Sequence, residues 1–308
     1  VITGGSGFVG SYLCEKLIND GHEIIVVDNL LTGSTENINH LMHNENFSFI
    51  EHDVQNHIEI ENKVDYVLHF ASAASPKAYT EHPVNTLKAG SVGTINTLGL
   101  AKKHDAEYLL ASTSEVYGDP LISPQTEEYW GNVNPNGERS MYDEAKRFAE
   151  AAVATYSRSY DLKTKIVRIF NTYGPRMQLN DGRVVTNFIV QALKNENITI
   201  YGDGSQTRSF SYVEDTVAGI ISLMNSSEYD VFNIGNPNEM TVGQLAEKII
   251  ELTDSTSEIK YLELPNDDPK QRKPDITKAK TKLNWEPKVN LEDGLTKTIK
   301  WVEGQLSK

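Results

Sequence analysis

Tyr142 and Lys146 stand four residues apart in Tyr142-Asp143-Glu144-Ala145-Lys146, so on a helix they share one face. An ammonium near a phenol favours the phenolate, which suits the tyrosine to take a proton near neutral pH. Such pairs also occur as plain contacts on solvated helices, and the opening of the chain is what gives this one chemistry. Val1-Ile2-Thr3-Gly4-Gly5-Ser6-Gly7-Phe8-Val9-Gly10 sets Gly4, Gly7 and Gly10 between an apolar strand end and a helix. A turn without β-carbons admits a pyrophosphate to backbone N–H groups and the helix N-terminus. Asp28 closes the next apolar run, 18 residues past Gly10, where a carboxylate meets the ribose hydroxyls of an adenosine. It repels a 2′-phosphate, and no Arg or Lys occurs from Asn29 through Asn62, so NAD is expected rather than NADP. Asp53-Val54, past the third apolar run, either caps the adenine or is an ordinary loop pair.

Ser112, Thr113 and Ser114 follow the run Tyr108-Leu109-Leu110-Ala111, which puts hydroxyls at a strand's carboxyl end, where open parallel sheets hold ligands. Arg176, Arg183 and Arg208 lie in glycine-containing loops, and guanidinium forks grip a diphosphate bidentately. Arg183 and Arg208 are the expected pair, while Arg176 divides between that role and a structural one.

The elements that must position these residues are legible as alternating runs. Ile24–Val27, Phe47–Ile50, Tyr66–Phe70, Tyr108–Leu110 and Ile166–Ile169 are short, apolar and rich in β-branched residues, as strands buried on both faces are. Helical stretches fall at about 8–20, 84–104 and 139–160, the middle one with Val84, Leu87, Val92, Ile95 and Leu98 on an amphipathic face. The order predicts an α/β fold: a Rossmann-type doubly wound parallel sheet over 1–170. From 171 to 308, loops dense in Gly, Pro, Asp and Arg mark a smaller mixed α/β lobe, some later segments of which return to the first.

The G-x-x-G-x-x-G spacing resembles the extended short-chain dehydrogenase/reductases that act on nucleotide sugars. Nearly the whole chain further resembles the UDP-glucuronate decarboxylase family. The resemblance rests on Thr113-Ser114-Glu115-Val116-Tyr117-Gly118-Asp119-Pro120, Tyr129-Trp130-Gly131-Asn132-Val133-Asn134-Pro135, Gly137-Glu138-Arg139-Ser140 ahead of Tyr142, Asn171-Thr172-Tyr173-Gly174-Pro175-Arg176-Met177, Asp181-Gly182-Arg183-Val184-Val185, Tyr201 through Phe210, and Arg272-Lys273-Pro274-Asp275-Ile276. Phe70-Ala71-Ser72-Ala73-Ala74-Ser75-Pro76 departs from a cysteine-proline loop, and Ala145 from a frequent glycine; neither removes a side chain that the chemistry needs.

The resemblance implies NAD-dependent conversion of UDP-glucuronate to UDP-xylose and CO2 through a 4-keto sugar. By it, Thr113 is the hydroxyl on the sugar's 4-OH, Tyr142 the base, and Lys146 the cation that lowers the phenol's pKa and holds the nicotinamide ribose. Glu115 and Arg272 sit at the sugar carboxylate. Phe8, Val9, Asn29 and Phe70 join the glycines, Asp28, Asp53 and Val54 around the cofactor, while Ser114 and Asn171 join Arg183, Tyr201, Arg208 and Arg272 around the UDP-sugar. Tyr201 stacks beside the uridine or packs as core. A homodimer, paired through helices 84–104 and 139–160, is also implied. A 4-epimerase or 4,6-dehydratase shares the first half-reaction; a dehydratase places an aspartate where Ser114 stands, and a hydroxyl is a poor acid for expelling water. A non-catalytic dinucleotide sensor would need none of Thr113, Tyr142 and Lys146.

Composition excludes other classes. Among 308 residues, 43 acidic side chains outweigh 29 basic ones, for a net charge of −14, which disfavours nucleic acid as a partner. The single cysteine, Cys14, forms no internal disulfide and points to a reducing, cytoplasmic setting. No apolar run is long enough to span a membrane, and an anchor upstream of Val1 is left open. His40 and His43, three apart on a polar stretch, have too few neighbouring ligands for a metal, and none is expected.

Overall fold

The structure is a computed structural model that describes residues 1–263 and 271–307. Residues 267–270 of the charged stretch leading into Arg272 lie outside the described residues. The chain runs β1 (Ile2–Thr3), α1 (Phe8–Asn19), β2 (Ile24–Asp28), β3 (Phe47–Glu51), β4 (Tyr66–His69), α2 (Pro76–Glu81), α3 (Pro83–Lys88), α4 (Thr94–His104), β5 (Glu107–Thr113), α5 (Ser140–Tyr160) and β6 (Thr164–Ile169). It continues with β7 (Thr172–Tyr173), α6 (Val184–Leu193), β8 (Ile198–Tyr201), β9 (Thr207–Ser209), β10 (Ser211–Tyr212), α7 (Val213–Met224), β11 (Val231–Ile234), β12 (Glu239–Thr241), α8 (Val242–Leu252), β13 (Ile259–Leu262), α9 (Thr277–Leu283) and α10 (Leu291–Leu306).

Seven parallel strands form the central sheet in the order β11-β6-β5-β4-β1-β2-β3. Neighbouring residues of one strand feed different cores: Leu68 and Leu109 join one cluster, Val67 and Leu110 the other. That two-sided burial is why the strands read as unbroken apolar runs rather than as alternation. The strand order reverses at β1, with β2 on one side and β4 on the other. Ligands of such sheets bind outside the carboxyl ends of the strands at this switch point.

The later chain is not a separate body. β11 pairs with β6 in the main sheet, and α7 packs on α1. One apolar cluster runs from Leu13 of α1 to Phe188 of α6 and Leu245 of α8, so both lobes share a core. Three two-stranded sheets, β10-β7, β12-β9 and β13-β8, brace the loops of the second lobe.

The stretch expected as one helix over 84–104 is broken. α3 passes through a π-helical turn at Ala89–Gly93 before α4. A Cβ on Gly90 would lie 2.7 Å from the Ala145 Cβ, and one on Gly93 2.7 Å from Val54 Cγ2, so two glycines let this turn press against α5 and the loop after β3. Of the expected apolar face only Leu98 is buried; Val84, Leu87, Val92 and Ile95 are exposed, and Thr94, Thr97 and Ala101 pack inward instead. Among the described residues, no helix is long and apolar enough to cross a membrane.

Candidate active site

Gly4, Gly7, Phe8, Val9 and Gly10 line one end of a cleft of about 1370 Å³ that runs over the carboxyl ends of the strands. Gly4 takes φ +74°, and a Cβ there would sit 2.7 Å from the Ala71 nitrogen; one on Gly10 would sit 2.2 Å from the Gly4 carbonyl oxygen. These contacts close β1, α1 and the loop after β4 on one another and leave backbone facing the cleft at the start of α1, a cradle suited to a pyrophosphate. Asp28 Oδ2 accepts the Ser6 N–H at 3.0 Å and Oδ1 the Leu30 N–H at 2.9 Å, so its carboxylate is held at the cleft wall. Burial pushes its pKa up against those two hydrogen bonds. Asn29 donates to Asp53 Oδ2 at 3.1 Å, and Val54 and Phe70 complete this wall. The residues therefore fit a dinucleotide without a 2′-phosphate.

α5 carries the next group. Its buried face runs Tyr142, Ala145, Lys146, Ala149, Ala152, Val153, which is helical spacing on the side that meets β5. Lys146 Nζ donates to the Ala111 carbonyl at 2.8 Å. Burial lowers its pKa to about 8, against the attraction of Glu150 one turn on. The Tyr142 phenol hydrogen-bonds the Thr113 hydroxyl. Burial drives its pKa upward and Glu115 adds to the rise, while Thr113 and Arg183 pull it down. Lys146 Nζ lies 5.9 Å from the Tyr142 ring centroid, with its hydrogen bond made to the β5 carbonyl. Arg183, expected at a diphosphate, donates to the Ala74 carbonyl at 3.0 Å and contributes its charge to the phenol.

Beyond Tyr142, two arginines converge on one carboxylate oxygen. Arg139 Nη2 pairs closely with Glu115 Oε2, and Arg272 Nη2 lies 3.3 Å from the same atom. Arg272 is otherwise spent on backbone: it donates to the Ser114 carbonyl and, at 3.3 Å, to that of Gly118. Burial works to raise the Glu115 pKa, but Arg272, Arg139 and Arg208 together hold it below the ordinary carboxylate value. Asp143 is the counterpart: burial, then the Glu115 charge, raise its pKa to about 7, and Oδ1 is buried without a hydrogen-bond partner.

Ser114, Asn171, Tyr201 and Arg208 also line the cleft, Tyr201 half exposed. Arg176 ties the second lobe to α1, 2.6 Å from Glu15 and over the Tyr12 ring, so its visible task is structural. His40 lies 3.4 Å from the same Glu15. Among the described residues, no three His, Cys, Asp or Glu side chains gather to hold a metal. Sequence reasoning did not single out Arg139, Asp143 or Tyr79, whose ring stacks on Tyr142. Arg139, three residues before Tyr142, carried the one available signal, since that spacing returns a side chain to the same helix face.

A seven-stranded parallel sheet, a glycine turn opening α1, and Thr113, Tyr142 and Lys146 lining the same cleft define an extended short-chain dehydrogenase/reductase. The chain matches the GDP-mannose 4,6 dehydratase family over residues 1–298. UDP-glucuronic acid decarboxylase 1 of Xenopus tropicalis is 53% identical over 306 residues, which span 99% of this chain and 72% of that protein. Among solved structures, the UDP-glucose 4-epimerase of Thermotoga maritima with UDP-glucose superposes with a TM-score of 0.89 at 33% identity, covering 99% of this chain and 98% of that one. The UDP-glucuronic acid 4-epimerase of Bacillus cereus, in complex with UDP-glucuronic acid and NAD, gives 0.88 at 26% identity, with 99% and 98% covered. The chain belongs to the UDP-glucuronate decarboxylase family.

Proposed function

We propose that this protein converts UDP-glucuronate to UDP-xylose and CO2, with NAD as its cofactor. The observation that carries the reading is the cluster of Glu115 with Arg139 and Arg272 on the cleft wall beside Thr113 and Tyr142. Guanidinium groups on the wall that also carries the phenol suit a sugar bearing a carboxylate next to its 4-hydroxyl carbon, which supports this reading.

When bound, NAD supplies the acceptor for the hydride from C4 and later returns it. Gly4, Gly7, Phe8, Val9 and Gly10 with Asp28, Asn29, Asp53, Val54 and Phe70 would hold it, and Lys146 its nicotinamide ribose. Tyr142 takes the 4-hydroxyl proton, oriented by Thr113 and aided by the charge of Arg183. The C4 ketone is then β to the carboxylate. The electron pair of the C5–carboxylate bond passes to the ketone oxygen as CO2 departs, and the hydroxyls of Thr113 and Tyr142 stabilise the enolate. Arg272, fixed by the Ser114 and Gly118 carbonyls, acts on the carboxylate through its charge, with Glu115 beside it. A solvent proton adds at C5 of the enolate, and Tyr142 gives its proton back to the 4-oxygen as the ketone is reduced. Ser114, Asn171, Tyr201, Arg183 and Arg208 would line the UDP-sugar.

We also read the protein as a homodimer in a reducing, cytoplasmic setting. Val84, Leu87, Val92 and Ile95 with Phe148 of α5 leave apolar surface exposed on adjacent helices, and Cys14 is a buried free thiol. Sedimentation measures the first. Incubating the protein with NAD and UDP-glucuronate, and weighing the product, tests the activity: UDP-xylose with released CO2 supports it, while UDP-galacturonate or unchanged substrate overturns it.

A further inference from the structure

The two arginines on Glu115 are not equivalent. Arg272 is locked: its side chain is 3% exposed, and its donors go to two carbonyls and Glu115. Arg139 is 23% exposed, lines the cleft and reaches the same Glu115 oxygen, with its guanidinium 5.8 Å from the Tyr79 ring centroid. Its backbone belongs to the catalytic turn, since the Arg139 carbonyl accepts the N–H of Tyr142 at 3.0 Å and of Asp143 at 3.1 Å. A side chain three residues ahead of Tyr142 at the start of one helix shares its face. Arg272, Arg139 and Arg208 each lower the Glu115 pKa, so its carboxylate does not depend on Arg139 alone.

We propose that Arg139 determines specificity for an acidic sugar, turning its guanidinium fork from Glu115 to the substrate's carboxylate. The inference rests on the decarboxylase reading and names the side chain that recognises its substrate. The exchange replaces one charge-assisted pair by another, and Glu115 keeps Arg272, so no buried carboxylate is stranded. A sugar without the carboxylate leaves Arg139 on Glu115 and gains nothing from it.

The test compares dissociation constants of the NAD-loaded protein for UDP-glucuronate and for UDP-xylose, which lacks the carboxylate, alongside KM and kcat. In Arg139→Met, UDP-glucuronate should bind at least about tenfold more weakly and KM rise in step, with UDP-xylose within about threefold of the parent. Arg139→Lys keeps the charge without the fork and should lose an intermediate part of the preference. A fall in kcat with the ratio of the two constants unchanged would make Arg139 only a support for Glu115 and overturn the proposal, as would equal loss for both nucleotides. If Arg139→Met does not fold, the ratio in Arg139→Lys decides, and an unchanged ratio there overturns the proposal. A parent that leaves UDP-glucuronate intact overturns the decarboxylase reading instead, while the parent-to-variant change in binding ratio still judges Arg139.

Discussion

The Tyr79 ring is stacked on that of Tyr142, with centroids 5.2 Å apart and planes 14° from parallel. The stack orients the phenol through its ring, whereas the chemistry goes through its hydroxyl, bonded to Thr113. Ring and hydroxyl can therefore be tested apart.

Tyr142→Phe keeps the stack and removes only the hydroxyl. Turnover should fall by roughly 10² to 10⁴, the usual worth of a positioned acid or base, while NAD binding and melting temperature stay near the parent's. Steady-state rates beside a thermal melt check this, and near-normal turnover would remove Tyr142 from the proton-transfer role.

Asp28 governs the choice of dinucleotide. Both its oxygens are tied to backbone N–H groups, so it cannot swing aside to admit a 2′-phosphate. NADP should bind about 10- to 100-fold more weakly than NAD, because a like charge beside a buried carboxylate costs about 1–3 kcal/mol. Titration with each nucleotide measures the ratio, and parity would reverse the assignment.

What was legible in the chain was what is local or periodic. Residues such as Val67 and Leu68 announce a strand covered on both sides, and the spacing of Gly4, Gly7 and Gly10 announces the turn, because each requirement falls within a few residues. The break at Ala89–Gly93 was not legible, since it arises where Gly90 meets Ala145 and Gly93 meets Val54, contacts between distant segments. The resemblance brought Glu115 and Arg272 to one place, but the arrival of Arg139 on the same carboxylate and the burial of Arg272 to 3% exposure depend on contacts between distant segments. Lys146 was legible as a member of the site, but its Ala111 partner depends on how α5 lies on β5.

Asp143 makes stability depend on pH. Its carboxyl is buried with Oδ1 unpartnered and its pKa raised from 3.8 to about 7, chiefly by burial and then by Glu115. The folded state thus holds a proton that the unfolded chain releases between those values. That contribution is complete below the unfolded pKa and is lost as pH climbs through the folded one. Asp143→Asn should therefore gain stability over the parent as pH rises from about 4 to 8, by about 1–3 kcal/mol across the window. Melts at both ends check it, and a gain that is flat or larger at acid pH would refute it.

In the proposed mechanism Arg272 and Glu115 bear on loss of CO2, whereas the phenol and Thr113 meet the 4-hydroxyl; Glu115 reaches the phenol only through its charge. Neither residue touches the glycine turn or Asp28, at the far end of the cleft's machinery. Arg272→Ala and Glu115→Gln should thus bind NAD nearly as the parent does and lose at least about 10- to 100-fold in UDP-xylose formation, or roughly 1.4–2.7 kcal/mol of transition-state stabilisation. The Arg272 change also opens a buried ion pair, which can cost up to about 3–5 kcal/mol of stability. NAD binding must therefore be measured on the same sample, so that turnover is counted per folded site. CO2 release followed beside the NADH signal then separates the two half-reactions. Because neither variant removes the phenol, Thr113, Lys146 or the cofactor's cradle, the variants should still produce that signal while CO2 lags behind it. CO2 release that keeps pace with oxidation in both variants would move Arg272 from the substrate's carboxylate to the upkeep of the Ser114 and Gly118 carbonyls it already holds.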